Sequence, residues 1–211
     1  MLKTIQRWAA LSILSLVLVS HPAQAGDATR NLLYEVRRSF TLGGKPIPPE
    51  IFRDMGDGNL ADSLPIRVTI DVKAAIGSNL YYDEIKPDGP GWVAQRPADK
   101  DSLNGTDEYA YHYVGVTANG LLVIIASANT GGSGDFVTLH ILDLAAAKAF
   151  DSGGQVYDRI NVTTLRDIPL GDHWDGMAQI DGNTIVVTTT RSGPADDSGK
   201  ARVTKVEAGR P

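Results

Sequence analysis

The sequence predicts a mainly β protein: an antiparallel meander or sandwich, or a partly open barrel, of roughly eight to ten strands with one or two short helices. An α+β arrangement is the alternative. Three observations carry this. Alternation of apolar and polar residues with a period of two dominates the chain after residue 25. An Asn119-Gly120 pair stands between two apolar runs, Tyr109–Ala118 and Leu121–Ser127, in the manner of a β-hairpin. The longest apolar stretch after the leader, Gly120 to Ala128, has the length of one buried strand and falls far short of the roughly 20 residues of a membrane span.

The elements follow in order. Residues 1–25 read as an export signal. Lys3 and Arg7 form a basic start, Trp8 to Val19 is apolar apart from two serines, and Ala23-Gln24-Ala25 offers small residues at −3 and −1. Cleavage near Ala25 would place the remainder, a single β-rich domain over 26–211, in the periplasm or medium. Tyr34, Val36, Arg38, Phe40 and Leu42 predict a strand that turns at Gly43-Gly44, and Pro48-Pro49 opens a short helix that Gly56 would end. Ile66, Val68, Ile70 and Val72 predict the next strand. Residues 84–107, rich in Pro, Gly and charge, form a long surface excursion, and loops of that length are more often functional than inert.

The Asn119-Gly120 turn is expected to be a two-residue type I′ turn. The loop Ala128–Asp135 then leads to a third strand, Phe136–Asp143. Asp143 predicts an N-cap for a short alanine-rich helix, 144–150, closed by Gly153-Gly154. Extended segments follow at 156–160 and 162–165. Asp181-Gly182 joins strand 177–180 to strand 184–190, and 201–206 is the last strand. The segment from Asn119-Gly120 onward is weakly echoed from Gly182-Asn183 onward: a turn, an apolar run, a loop and a strand. Two packed hairpin-plus-strand pieces would produce that pattern. Propeller blades fit less well, since they repeat every 40–50 residues or so.

Composition excludes several functions. All 25 acidic residues follow the leader, which holds two of the 20 basic ones, so the exported part is more acidic than the whole chain with its formal net charge of −5. No Lys/Arg run could track a phosphate backbone, which makes nucleic acid and anionic membrane surfaces poor partners. With no cysteine, no disulfide, thiolate nucleophile or cysteine-bound metal is possible, and the core alone must hold the fold.

Candidate site residues are few. His173-Trp174-Asp175 combines an imidazole, a flat apolar ring and a carboxylate beside a turn. Trp92 stands on the Gly/Pro-rich excursion. Tryptophan faces stack on sugars and carboxylates accept hydroxyl protons, so Trp174, His173, Asp175 and Trp92 are the candidate ligand contacts. The plain alternative for each ring is packing under the sheet. His112 and His140 are expected on one face of the meander, about 13 Å apart at about 3.3 Å per residue, too far to share a metal. The acidic stretch Asp54–Pro65 lacks the Gly and Glu of a calcium loop, with Asn59 and Pro65 in their places. Gly131-Gly132-Ser133-Gly134-Asp135 has Asp135 where a nucleophile elbow needs glycine. Neither a metal nor another cofactor is implied. The expected function is a non-catalytic exported binding module for a carbohydrate, a cell-envelope component or a protein. One alternative is an envelope-polymer hydrolase using His173 with Asp172 or Asp175. The other is an assembly protein that recruits a partner strand beside 201–206.

Overall fold

The computed structural model describes residues 23–55, 67–77, 85–96, 107–189 and 202–209. The predicted leader up to residue 22, the acidic group at Asp57 and Asp62, residues 97–106 and the loop at 190–201 lie outside them. The architecture is mainly β and antiparallel throughout.

Its centre is the predicted meander: β6 (Asp107–Val116), β7 (Leu122–Thr130) and β8 (Phe136–Phe150). On one side the sheet continues through β9 (Val156–Asp172) to the short β3 (Thr69–Asp71), and on the other through β5 (Trp92–Gln95) to β4 (Lys86–Pro87). The resulting seven-stranded order is β3-β9-β8-β7-β6-β5-β4. Its two ends do not pair, so no barrel closes. A second, three-stranded sheet holds β10 (Gly176–Asp181), β11 (Thr184–Thr189) and β12 (Arg202–Glu207).

Both faces of the large sheet are covered, which explains why β7 reads as an unbroken apolar run. Leu122, Ile124 and Ala126 face a helical layer, where they meet Val36 of α1 (Ala23–Ser39), Phe40 just after it, Phe52 and Met55 of α2 (Ile51–Met55) and Val72 of α3 (Val72–Gly77). Leu121, Val123 and Ile125 face the small sheet through Ile185, Val187 and Val206. Each such side chain stabilises the fold by about 1.5–3 kcal/mol when fully buried. Tyr111 and Tyr113 share the helical face with Phe40, whose ring meets theirs at 5.2 and 5.9 Å.

The internal echo corresponds to these two meanders, which pack face to face with their turns in contact. Ala118 N donates to Gly182 O at 2.8 Å and Asn119 N to Asn183 Oδ1 at 2.8 Å.

Several local expectations are corrected. The segment 34–42 is not a strand. It is mostly α1, because Leu32, Leu33, Val36 and Phe40 also satisfy a helical spacing, and that stripe is the one buried. Only Thr41–Leu42 is extended, as β1, paired with Lys45–Pro46 as β2. Of 66–72, Thr69–Asp71 is strand, whereas Val72 already begins α3.

The alanine run 144–150 is not helical. β8 continues through it, paired with β9 as far as Phe150↔Val156, and Asp151–Gln155 makes a hairpin turn. A continuous ladder outweighs the helix preference of a few alanines, worth at most tenths of a kcal/mol each. Likewise 156–172 is one strand rather than two. The excursion 84–107 contributes β4, β5 and the first residue of β6 to the sheet. Finally, the β6–β7 turn is longer than two residues. Gly120 N donates to Thr117 O and Thr117 N to Leu121 O, and a bulge at Val114 shifts the register again. The two shifts cancel in parity, so His112, paired with Ile125, keeps the Val123 face; the β7–β8 register, with Phe136 opposite Ala128, puts His140 opposite Ile124 and so on the other face.

Candidate functional site

The small sheet is shorter than the face it covers. On β7 the residues of that face run Leu121, Val123, Ile125, Ser127, Asn129: the apolar series ends where the cover ends. Across the ladder, Ala110 and Glu108 of β6 stand opposite Ser127 and Asn129, and Val137 of β8 stands opposite Ser127. These side chains floor a cleft of about 410 Å³. Asp88 and Trp92 form one wall, and Asp135, His173 and Trp174 form the other.

Three of the four predicted contact residues, Trp92, His173 and Trp174, thus line one cleft although they are far apart in sequence. The fourth, Asp175, is exposed and does not line it. Sequence reasoning missed Asp88, Glu108, Ser127, Asn129 and Asp135. The available signal was the switch from aliphatic to polar at every second residue of β7, which marks the uncovered end of the face.

Each wall is built locally. Trp174 is half-buried. Its Nε1 donates to Thr189 Oγ1 at 3.1 Å, and its ring lies against Gly176 so closely that a Cβ there would stand 2.6 Å from it. His173 has φ +48°, a left-handed conformation that costs a non-glycine residue of order 1–3 kcal/mol. The turn is held by a reciprocal clasp: His173 N donates to Asp135 O at 2.8 Å, and Asp135 N donates to Asp172 Oδ1 at 2.7 Å. Ser127 Oγ donates to the Asp135 carboxylate.

On the opposite wall, Trp92 sits 5.8 Å from the His112 ring, and His112 Nδ1 donates to Gly91 O at 3.0 Å. Gly91 combines a φ of +78° with the His112 ring where a Cβ would stand, so no other residue fits. The Trp92 Nε1 has no acceptor among the described residues. At the rim, Glu108 pairs with Arg96, and that hydrogen bond, followed by the charge of Glu108, holds the guanidinium pKa above its usual value.

Other candidates carry less chemistry. His140 is 1% exposed, packs on the Phe52 ring, and contacts Asp167 Oδ1 through Nδ1 at 2.7 Å, which makes it a partnered core residue. The β9 bulge at Leu165 is what brings Asp167 opposite it. A broader depression of about 670 Å³ between β6 and β10 is lined by Val114, Ile180 and small residues, with no titratable side chain. Among the described residues no group of three or more His, Asp or Glu side chains is placed to hold a metal, and no helix is long and apolar enough to cross a membrane.

No family model matches the chain, nor does any curated protein or solved structure. The function is therefore argued from this cleft.

Proposed function

We propose that the chain is an exported, non-catalytic module that binds a carbohydrate or similar polyhydroxylated envelope component in the cleft between Trp92 and Trp174. The observation that carries this is the convergence of two half-buried indoles with Asp88, Ser127, Asn129 and Asp135 in one concave site. Flat apolar faces suit the C–H faces of sugar rings. The carboxylates, the amide and the unengaged Trp92 N–H suit their hydroxyls. Export rests on the basic start, apolar core and small-residue end of residues 1–25.

A hydrolase using His173 with Asp172 or Asp175 has less support. His173 Nε2 lies 3.8 Å from Asp172 Oδ1, beyond hydrogen-bond reach, and that oxygen already accepts the Asp135 N–H. Strand recruitment is favoured by one feature only: among the described residues β12 pairs with β11 alone. Arg202, Lys205 and Glu207 along β12 are the charges that blunt such edges.

The test is calorimetric titration of protein starting at Gly26 with a panel of soluble oligosaccharides and peptidoglycan fragments. At least one should bind, and Trp92→Ala should weaken it tenfold or more while the circular dichroism spectrum stays that of the parent. No binding across the panel, or binding indifferent to Trp92→Ala and Trp174→Phe, overturns the proposal.

A further inference from the structure

We infer that the cleft selects a sugar bearing a protonated amine over neutral and acidic sugars; this rests on the carbohydrate reading above. Among the described residues three carboxylates, Asp88, Glu108 and Asp135, line the cleft, and no Lys or Arg side chain does. Two of the three are engaged. Arg96, largely exposed at the rim, offsets Glu108, and the Ser127 hydroxyl bonds Asp135. Asp88 also lies in the field of Arg96, but its exposed carboxylate makes no hydrogen bond to any described residue, and it stands on the same wall as Trp92.

The two indoles strengthen the same preference. An indole face carries negative electrostatic potential and attracts ammonium groups within about 6 Å of its centre. A concave, partly apolar site also concentrates the field of its charges. A ring that stacks on Trp92 with an amine directed toward Asp88 meets attraction from both partners. A uronate in the same pose brings a carboxylate against Asp88 and an electron-rich ring face. Repulsion there excludes acidic sugars, so the acidic wall acts as a filter as well as an attachment point. Two imidazoles stand at the cleft, His173 on one wall and His112 against Trp92 on the other, and a proton on either would oppose a cationic ligand. The sugar hydroxyls are the other half of recognition, because Asn129, Ser127 and the Trp92 N–H lie in the same cleft and have no use for a bare cation.

The experiment titrates protein starting at Gly26 with four probes of matched length at low ionic strength and a pH that keeps the amine protonated: a glucosamine oligosaccharide, its N-acetylated counterpart, an oligogalacturonate and oligolysine. The glucosamine oligomer should bind about tenfold tighter than the N-acetylated one. The oligogalacturonate and oligolysine should bind weakest. Asp88→Asn should reduce the amine preference by threefold or more, and so should raising the salt to 0.5 M. Equal affinity for the amine and N-acetyl forms, tighter binding of the uronate, oligolysine binding as tight as glucosamine, or a preference unmoved by Asp88→Asn overturns the inference. In the first case the carbohydrate reading survives, since both sugars bind. Failure of every probe removes both.

Discussion

Replacing Gly176 with alanine tests whether Trp174 is held in place by close packing, as the cleft requires. A Cβ on residue 176 would stand 2.1 Å from Thr188 O and 2.6 and 2.8 Å from ring atoms of Trp174. Real Cβ contacts do not fall below 3.0 Å, so something must move. Thr188 O is backbone, and Gly176 pairs with Thr189 in the β10–β11 ladder. If the backbone yields, the end of that ladder opens and hydrogen bonds worth about 0.5–1.5 kcal/mol each are lost. If Trp174 yields instead, it gives up the Thr189 bond and much of its packing against the β-sheet core, about 1.5–3 kcal/mol for a large apolar side chain. Either route gives a destabilisation of about 2–4 kcal/mol. In a chain of this size 1 kcal/mol moves Tm by about 2–4 °C, so Tm should fall by roughly 4–16 °C. Melting followed by circular dichroism and by tryptophan emission reads both effects, and the emission of Trp174 should shift to the red. Gly77→Ala is the control, because a Cβ there meets nothing within 4 Å. A Gly176→Ala protein that melts with its parent and emits like it would refute the packing argument for this wall.

Two further outcomes follow from the helical side. Glu35 accepts hydrogen bonds from Gly43 N and Gly44 N at 2.9 and 2.7 Å and from Thr41 Oγ1 at 3.1 Å, and the Gly44 bond is the main cause that holds its carboxyl below the usual value of 4.5. A depressed carboxylate pKa contributes stability that is complete above the unfolded value and disappears as pH falls through the folded one. Glu35→Gln should therefore cost about 1 kcal/mol at pH 7 and almost nothing near pH 2.5 in urea titrations; a cost that does not change with pH contradicts this. Protein starting at Gly26 should melt within about 2 °C of protein starting at Ala23. The contacts that anchor α1 begin later, with Thr29 Oγ1 to Asp158 Oδ2 at 2.7 Å and the buried Val36 and Phe40. A large loss would show that the first three helical residues matter to the fold.

What could be read from the sequence divides along physical lines. The meander β6–β8 and the β10–β11 hairpin are legible because each strand's pattern is short-range: alternation, an apolar run and a turn residue. Thr184–Thr189 could hardly be anything else. The segment around Tyr34–Phe40 is not, since its apolar residues satisfy periods of 2 and 3.6 together and only the burial of Leu32, Leu33 and Val36 decides. Ala145–Ala149 is misread because local propensity favours helix while the partner that overrides it, Tyr157–Asn161, is set by a hairpin turn that also resembles a helix cap. Register is the finest casualty. One extra turn residue and one bulge at Val114 cancel in parity and leave His112 on its face, whereas the β7–β8 register, with Phe136 opposite Ala128, turns His140 to the other, as the period-two geometry demands. At the site, Trp92, His173 and Trp174 are visible as bulky or titratable residues beside turns. Asp88, Glu108 and Asp135 are ordinary acids until β5, β6 and β8 bring them together.

The cleft itself follows from a mismatch of layers. Seven strands are backed by three, so among the described residues one end of the β7 face has no apolar partner, and the sequence answers with Ser127 and Asn129 in place of further aliphatics. An uncovered edge between two sheets would let water reach Val137 and Leu139, and the two indoles that stand there close it. Sealing alone would account for tryptophan at both places, but it does not account for the difference between them. Trp174 spends its N–H on Thr189 and lies tight against Gly176. Trp92, on the same wall as the exposed Asp88, keeps its N–H free of any described acceptor. A wall that only seals has no use for an unengaged indole N–H. A wall that waits for a ligand does, and Trp92→Phe, which keeps the seal and removes the donor, separates the two roles. Unchanged stability with weakened binding assigns the indole N–H to the ligand; unchanged stability with unchanged binding removes the N–H from recognition and leaves only the ring face to Trp92→Ala.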